Sequence, residues 1–241
     1  MNRPPNPGAA PVEVGERLAK RVAALRGCSR AEAERLIEGG WVRVDGVVVE
    51  QPQHRVRDER IEIDPNAQAA ALRPMTLLLH RSAAAAAAPP AAADRWDADP
   101  SRERLLRRHL QALQAPLSLP PACSGLVVWT QDAAVARRLM EDATLLEQEF
   151  QLDVAGPVSP VQRAALQQAL PGGKASVGSS QADRTRLRVV GKGAQAPAVL
   201  LDASARAGLA ILALKRLRIG RIALGPLPEG RWRFLRPFER F

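Results

Sequence analysis

Apolar residues along this chain switch between helical and strand spacing, and the switches mark out its elements. Leu18, Val22 and Leu25 recur at i, i+4 and i+7, the stripe of an amphipathic helix that Gly27 should stop. Ser29 then offers a capping hydroxyl and Glu32 its reciprocal partner, which predicts a second helix that buries Ala33, Leu36 and Ile37 and ends at Gly39-Gly40. From there the spacing drops to two. Trp41 to Val44 and Val47 to Val49 flank Asp45-Gly46, a pair that supplies the positive φ angles of a tight hairpin turn. Arg60 to Asp64 predicts a further short strand, closing a helix–helix–hairpin unit.

Downstream, Leu77 to Leu79 predicts a short strand, and the alanine tract from 83 to 93 is broken by Pro89-Pro90 and reads as an inserted loop. Arg102 to Leu113 has helical character, with Arg102, Arg104, Arg107 and Arg108 facing outward. Ser124 to Thr130 predicts a buried strand, and Asp132 to Met140 a helix that Asp132 caps. Strands are predicted at Glu149 to Val154, Arg186 to Val190, Ala198 to Leu201 and Ala210 to Leu214, with one helix from Pro160 to Leu170. The class is α+β. The divisions are a flexible tail over 1–13, a small domain over 14–64, a linker over 65–74 and a larger domain over 75–236 that carries the 83–93 insertion.

At 241 residues with 46% hydrophobic content, the chain is long enough for two folded domains. No apolar stretch approaches the roughly 20 residues of a membrane span, and the N-terminus lacks a secretory apolar core. No membrane association is therefore expected, and the expected location is cytoplasmic. Lys and Arg number 35 against 25 Asp and Glu, a formal net charge of +10 that favours a polyanionic partner through counterion release. Cys28 and Cys123, with His54, His80 and His109, lack metal-ligand spacing, so neither metal nor cofactor is expected.

Charge in the first domain is uneven. Its ten basic and ten acidic residues cancel, yet between Arg17 and Arg35 six basic residues face two acidic ones. Arg17, Lys20 and Arg21 cluster away from the apolar stripe of the first helix, while Arg30 sits in the first turn of the second, where free N–H groups favour an anion.

Arg17-Leu18-Ala19-Lys20, then Cys28 to Ile37, then Gly40-Trp41-Val42-Arg43-Val44-Asp45-Gly46 resemble the RNA-binding domain first seen in ribosomal small-subunit protein four. That pattern reads R-L-x-K, S-R-x-x-A-x-x-L-I, G-x-V-x-V-N-G, and Asp45 replaces the usual Asn. The resemblance implies RNA contacts from Arg17, Lys20, Arg21, Ser29, Arg30, Arg35 and Arg43.

The rest of the chain resembles the RsuA-like pseudouridine synthases, which carry this same module. Leu77 to Arg81 is similar to L-L-N-K-P, Ser124 to Asp132 to S-G-L-L-L-L-T-N-D, and Glu149-Phe150 to part of K-E-Y. Leu214 to Gly220 and Leu224 to Arg233 follow L-K-R-x-R-I-G-x-x-x-L-G-x-L-P-x-G-x-W-R almost throughout. This implies a larger domain with a mixed, mainly antiparallel sheet, a monomer, and RNA, ribosomal RNA in particular, as partner. The family breaks the bond between uracil and ribose with the help of a carboxylate in G-R-L-D-x-x-S-x-G-L, on a base taken out of its stack.

Counting back five from Gly125 puts Pro120 at that Asp. Phe150 stands where the family has an active-site Tyr, in a chain with no tyrosine; it could stack on a base but offers no hydroxyl. The basic stretch R-N-R-Q-V-R-R-M has no counterpart between Asp202 and Leu212, an interval that looks too short for its helix. Pro120, Phe150, Lys215 and Arg218 thus outline a degenerate pocket, and no catalytic residue is assigned. Three readings stay open: an RNA-binding relative with lost or impaired isomerase activity, an active synthase using a displaced carboxylate such as Asp94, Asp97 or Asp99, and a ribosome-assembly factor without chemistry.

Overall fold

A computed structural model describes residues 15–101 and 103–241, so the expected tail and Arg102 lie outside the described residues. The chain divides into two compact units that meet in sequence between Arg73 and Pro74.

In the first unit β1 (Glu16–Arg17) leads directly into α1 (Leu18–Arg26), which Gly27 ends at φ 67°. α2 (Arg30–Glu38) starts at Ser29, whose hydroxyl accepts from the Glu32 amide at 3.2 Å while the Glu32 carboxylate accepts from the Ser29 amide at 2.8 Å. This is the reciprocal cap expected from Ser29 and Glu32, and it satisfies two amides that would otherwise lack partners. β2 (Val42–Val44) and β3 (Val47–Val48) form the hairpin, with Asp45 at φ 48° and Gly46 at φ 79° in the turn. β4 (Arg55–Val56) pairs with β1, and β5 (Ile61–Ile63) with β2. Leu18, Val22, Ala33, Leu36, Ile37, Val42 and Val56 make one buried core. Leu25 was expected in that core but is 58% exposed, because α1 is so short that its last turn overhangs the packing.

The second unit is built on an eight-stranded sheet. In chain order its elements are β6 (Thr76–Arg81), β7 (Cys123–Thr130), α3 (Ala133–Glu141), β8 (Glu147–Ala155), α4 (Pro160–Ala169) and β9 (Lys174–Ser180). β10 (Arg184–Lys192), α5 (Ala196–Arg206), β11 (Ile211–Ile219), β12 (Ile222–Ala223) and β13 (Trp232–Phe234) follow. The strand order is β13-β6-β7-β11-β8-β10-β9, with β12 on β11, and only the β7–β11 pairing is parallel. The sheet is therefore mixed and mainly antiparallel.

Strand alternation sorts the side chains onto two faces. Phe150, Leu152, Val154, Leu187 and Val189 point to one face and pack with Leu166 of α4 and Leu200 of α5. Leu78, Leu126 and Val128 point to the other, where Leu139 of α3 and the C-terminal Phe241 cover them. At Gly125, with φ +107°, a Cβ would run into the Arg216 backbone, so only glycine lets β7 and β11 come this close.

Two expected elements take another form. Of the helix expected over Arg102 to Leu113, the described residues 103–113 hold only a 3₁₀ turn, Arg107–Leu110. The Gln131 side-chain amide donates to the carbonyls of Arg108 and Gln111 at 2.5 and 2.8 Å, and Gln114 pairs with Thr130, so tertiary partners take the groups a helix would have used. Ala198 to Leu201 lies inside α5 rather than in a strand, since Pro197 in the first turn favours helix and Leu200 and Ala203 meet the core three residues apart. α5 also corrects the view that this interval is too short for a helix: it begins six residues before Asp202.

Candidate functional site

The N-terminal edge is assembled by β1 and the starts of both helices. Arg17 precedes α1, Lys20 and Arg21 lie on its exposed side, and Arg30 opens α2. Arg17, Lys20 and Arg30 line a shallow depression of about 400 Å³ together with Gly15, Glu16 and Arg55. Four cations there face one carboxylate. Glu16 lies 2.8 Å from Lys20, 78% exposed, and 4.0 Å from Arg21. The hydrogen bond from Lys20 holds the Glu16 carboxyl below the usual carboxylate range. Arg30, 64% exposed, pairs with Glu34 at 3.0 Å. Solvent screens exposed pairs of this kind, so a phosphate can replace either carboxylate at small cost.

The other expected contacts sit apart from this depression. Ser29 spends its hydroxyl on capping α2. Arg35 is half-buried, with its Nε enclosed and unpartnered. Arg43 reaches over the hairpin turn and donates to the Gly46 carbonyl at 3.0 Å.

In the larger unit, residues 116–120 with Ala194, Gln195, Pro197 and Ala198 enclose a recess of about 240 Å³. None of these side chains ionises. Pro120 lines it, in a loop held from beneath by Arg81, whose guanidinium donates to the Leu119 carbonyl at 2.8 Å, the Cys123 carbonyl at 2.7 Å, and the Pro120 carbonyl. Arg216 is wholly buried and donates to the carbonyls of Leu126 and Leu117, both at 2.7 Å, and to Gln148 Oε1 at 3.1 Å. Desolvation pulls its pKa down to about 9.

The remaining pocket candidates do not gather there. Phe150 is fully buried in the sheet core, packed among Leu and Val, and presents no face to a base. This overturns its expected stacking role: the alternation of β8 turns Phe150 inward with Leu152 and Val154. Lys215 and Arg218 lie on the opposite sheet face, Arg218 bonded to Glu149 at 3.1 Å. The Asp99 carboxylate is 2% exposed and already accepts from Arg95, Ser101 and Phe234, so it serves the fold. Asp132 caps α3 through the amides of Ala134 and Val135. Among the described residues no His, Cys, Asp or Glu cluster could hold a metal ion, and no helix is long and apolar enough to cross a membrane.

A family model decides the nature of the first unit. Residues 16–60 match the S4 domain. Among solved structures, the chain is similar to a pseudouridylate synthase at 19% identity, covering 91% of this chain and 95% of that one with a TM-score of 0.47. It is also similar to a chain of an archaeal box H/ACA small ribonucleoprotein Nop10–Cbf5 complex at 16% identity, covering 50% of this chain and 42% of that one with a TM-score of 0.35. No curated protein matches the sequence.

Within the S4 unit, sequence reasoning missed one member of the depression. Arg55 comes from β4, thirty-eight residues beyond Arg17, and donates to the Gly15 carbonyl at 2.8 Å. Its signal was faint: a lone Arg-Val pair too short to read as a strand until β1 is there to pair with it.

Proposed function

We propose that this chain is an RNA-binding relative of the RsuA-like pseudouridine synthases whose uridine-to-pseudouridine isomerase activity is lost or impaired. The observation that carries the reading is Pro120. Where the resembled motif has its carboxylate, this chain has a residue with no ionisable group, its carbonyl already accepting from Arg81 in a recess lined without Asp or Glu. Cleaving and re-forming a glycosidic bond needs a carboxylate as nucleophile or base, and positioning alone does not supply one. RNA binding is supported by the S4 match and by the exposed Arg17, Lys20, Arg30 and Arg55 around one depression. Ribosomal RNA is the proposed target, and the proposed form is a cytoplasmic monomer that needs no cofactor.

The test maps pseudouridine chemically in ribosomal RNA after incubation with the purified protein or with a Pro120→Asp variant, beside binding measurements. Binding without modification by the unaltered chain is the expected result. Pseudouridine made by the unaltered chain would overturn the proposal in favour of a displaced carboxylate. Isomerisation by Pro120→Asp alone would trace the loss to one residue. If both chains bind and neither modifies, Arg81, Arg216 and the buried Phe150 mark a deeper loss, which approaches an assembly factor.

A further inference from the structure

On the sheet face away from α4 and α5, a row of arginines covers buried carboxylates. Arg184, Arg186 and Arg188 alternate along β10, so their side chains emerge about 6.8 Å apart on one side. On β8, Asp153 lies in register with Arg186 and Gln151 with Arg188, and Glu149 comes next along the same face. Asp153 accepts from both Arg184 and Arg186, the latter at 2.8 Å, and Glu149 from Arg188 at 2.5 Å and Arg218 at 3.1 Å. The two carboxylates are 2% and 6% exposed, whereas Arg184, Arg186 and Arg188 are 45%, 47% and 64% exposed. Over Asp153 and Glu149 solvent therefore meets guanidinium, and the exposed carboxylate of Glu147 stands at the Arg218 end of the row.

Charge and geometry both favour a polyanion. Asp153 is shared between two arginines, which leaves one positive charge in excess there; Arg188 and Arg218 are balanced by Glu149 and Glu147, and Lys215 adds a further positive charge beside Gln151. A guanidinium with one edge on a carboxylate keeps N–H groups on its free edge, and that planar fork suits phosphate oxygens. The carboxylates beneath fix each fork in place, which lowers the ordering cost on binding. The exposed side chains of β10 and its edge neighbour β9 include no aromatic on this face; Lys174, Ser176 and Ser179 stand opposite Val190, Arg188 and Arg186. Proteins that grip single strands rely on aromatic platforms for bases. This face lacks them, which favours contact with the backbone over the bases.

We infer that the Arg184–Arg186–Arg188 face of the sheet is a second RNA surface, one that binds the sugar–phosphate backbone of folded, double-stranded RNA without regard to sequence. The inference rests on the RNA-binding reading of the chain and adds a site distinct from both the S4 depression and the Pro120 recess.

The test compares the salt dependence of binding to a short RNA duplex and to a single strand of equal length. One variant, Arg184→Gln/Arg186→Gln/Asp153→Asn, removes two guanidinium groups and neutralises the carboxylate they cover. A second, Lys215→Gln, touches no ion pair of the cluster. With folding verified by thermal melting, the first should reduce the slope of log affinity against log salt by roughly 2 on the duplex, and the second by roughly 1. Unchanged slopes in Lys215→Gln and in a folded triple variant would overturn the inference while leaving the S4 reading intact. A slope lost only on the single strand would overturn it too. If the unaltered chain binds neither RNA, the RNA-binding reading itself falls.

Discussion

Lys20 and Arg30 in the S4 unit and Arg81 and Arg216 in the larger one are all cations, yet they are held in opposite ways. The first pair stands in solvent, each leaning on one half-buried glutamate. The second pair is buried and spends its donors on backbone carbonyls of the loop that carries Pro120 and of the strand beside it. A guanidinium in water exchanges partners at little cost; one in the core leaves orphaned acceptors if it moves. The difference teaches which cations a ligand can reach. In the S4 unit the positive charges remain available to a ligand, whereas around Pro120 they have been taken into the fold.

Breaking the contrast at its strongest point should give the largest effect. Arg216→Met would strip partners from two carbonyls and from Gln148, and should destabilise the larger unit by about 4 kcal/mol, read from chemical denaturation. A loss under about 1 kcal/mol would mean those acceptors find water or new donors.

The next effect is acid sensitivity of the larger unit at mildly acidic pH. Burial, aided by the charges of Arg108 and Arg95, depresses the pKa of His109 to about 4. The unfolded chain takes up that proton near pH 6.5, so the stabilisation is complete above 6.5 and is lost as pH falls from there through 4. It amounts to about 3 kcal/mol. His109→Gln should flatten the melting temperature of the larger unit between pH 6.5 and roughly 5, above the range where the lowered carboxylates of either unit take up protons.

Smaller again is the binding effect at the exposed cations. Lys20→Ala/Arg21→Ala/Arg30→Ala should weaken RNA binding at ~0.1 M salt by about thirtyfold and lower the salt slope by roughly 3. Thermal stability should change by less than about 1 kcal/mol, the reverse of Arg216→Met. An unchanged slope would remove the S4 edge from the case. The smallest expected change is Ser29→Ala, which deletes the hydroxyl half of the α2 cap and should cost about 1 kcal/mol of S4-unit stability, again by denaturation.

Much was legible in the chain alone because it rests on local physics. The α2 cap, the Asp45-Gly46 turn, the Asp132 cap and the strand around Val127 each follow from a few neighbouring residues, and each stands where those residues predict it. The Arg102 to Leu113 helix and the Ala198 strand failed where local propensity was weak and partners arrived from elsewhere in the chain, Gln131 in one case and the sheet core in the other.

What the sequence determined by itself, then, was the order of most elements, the cationic cluster of the S4 unit and the proline at position 120. Only the tertiary structure decided that Arg55 joins that cluster, that Phe150 turns into the core, and that Arg184, Arg186 and Arg188 lie over Asp153 and Glu149. The reason is register. Which side chains share a face across strands distant in sequence depends on how those strands pair, and no single segment carries that information.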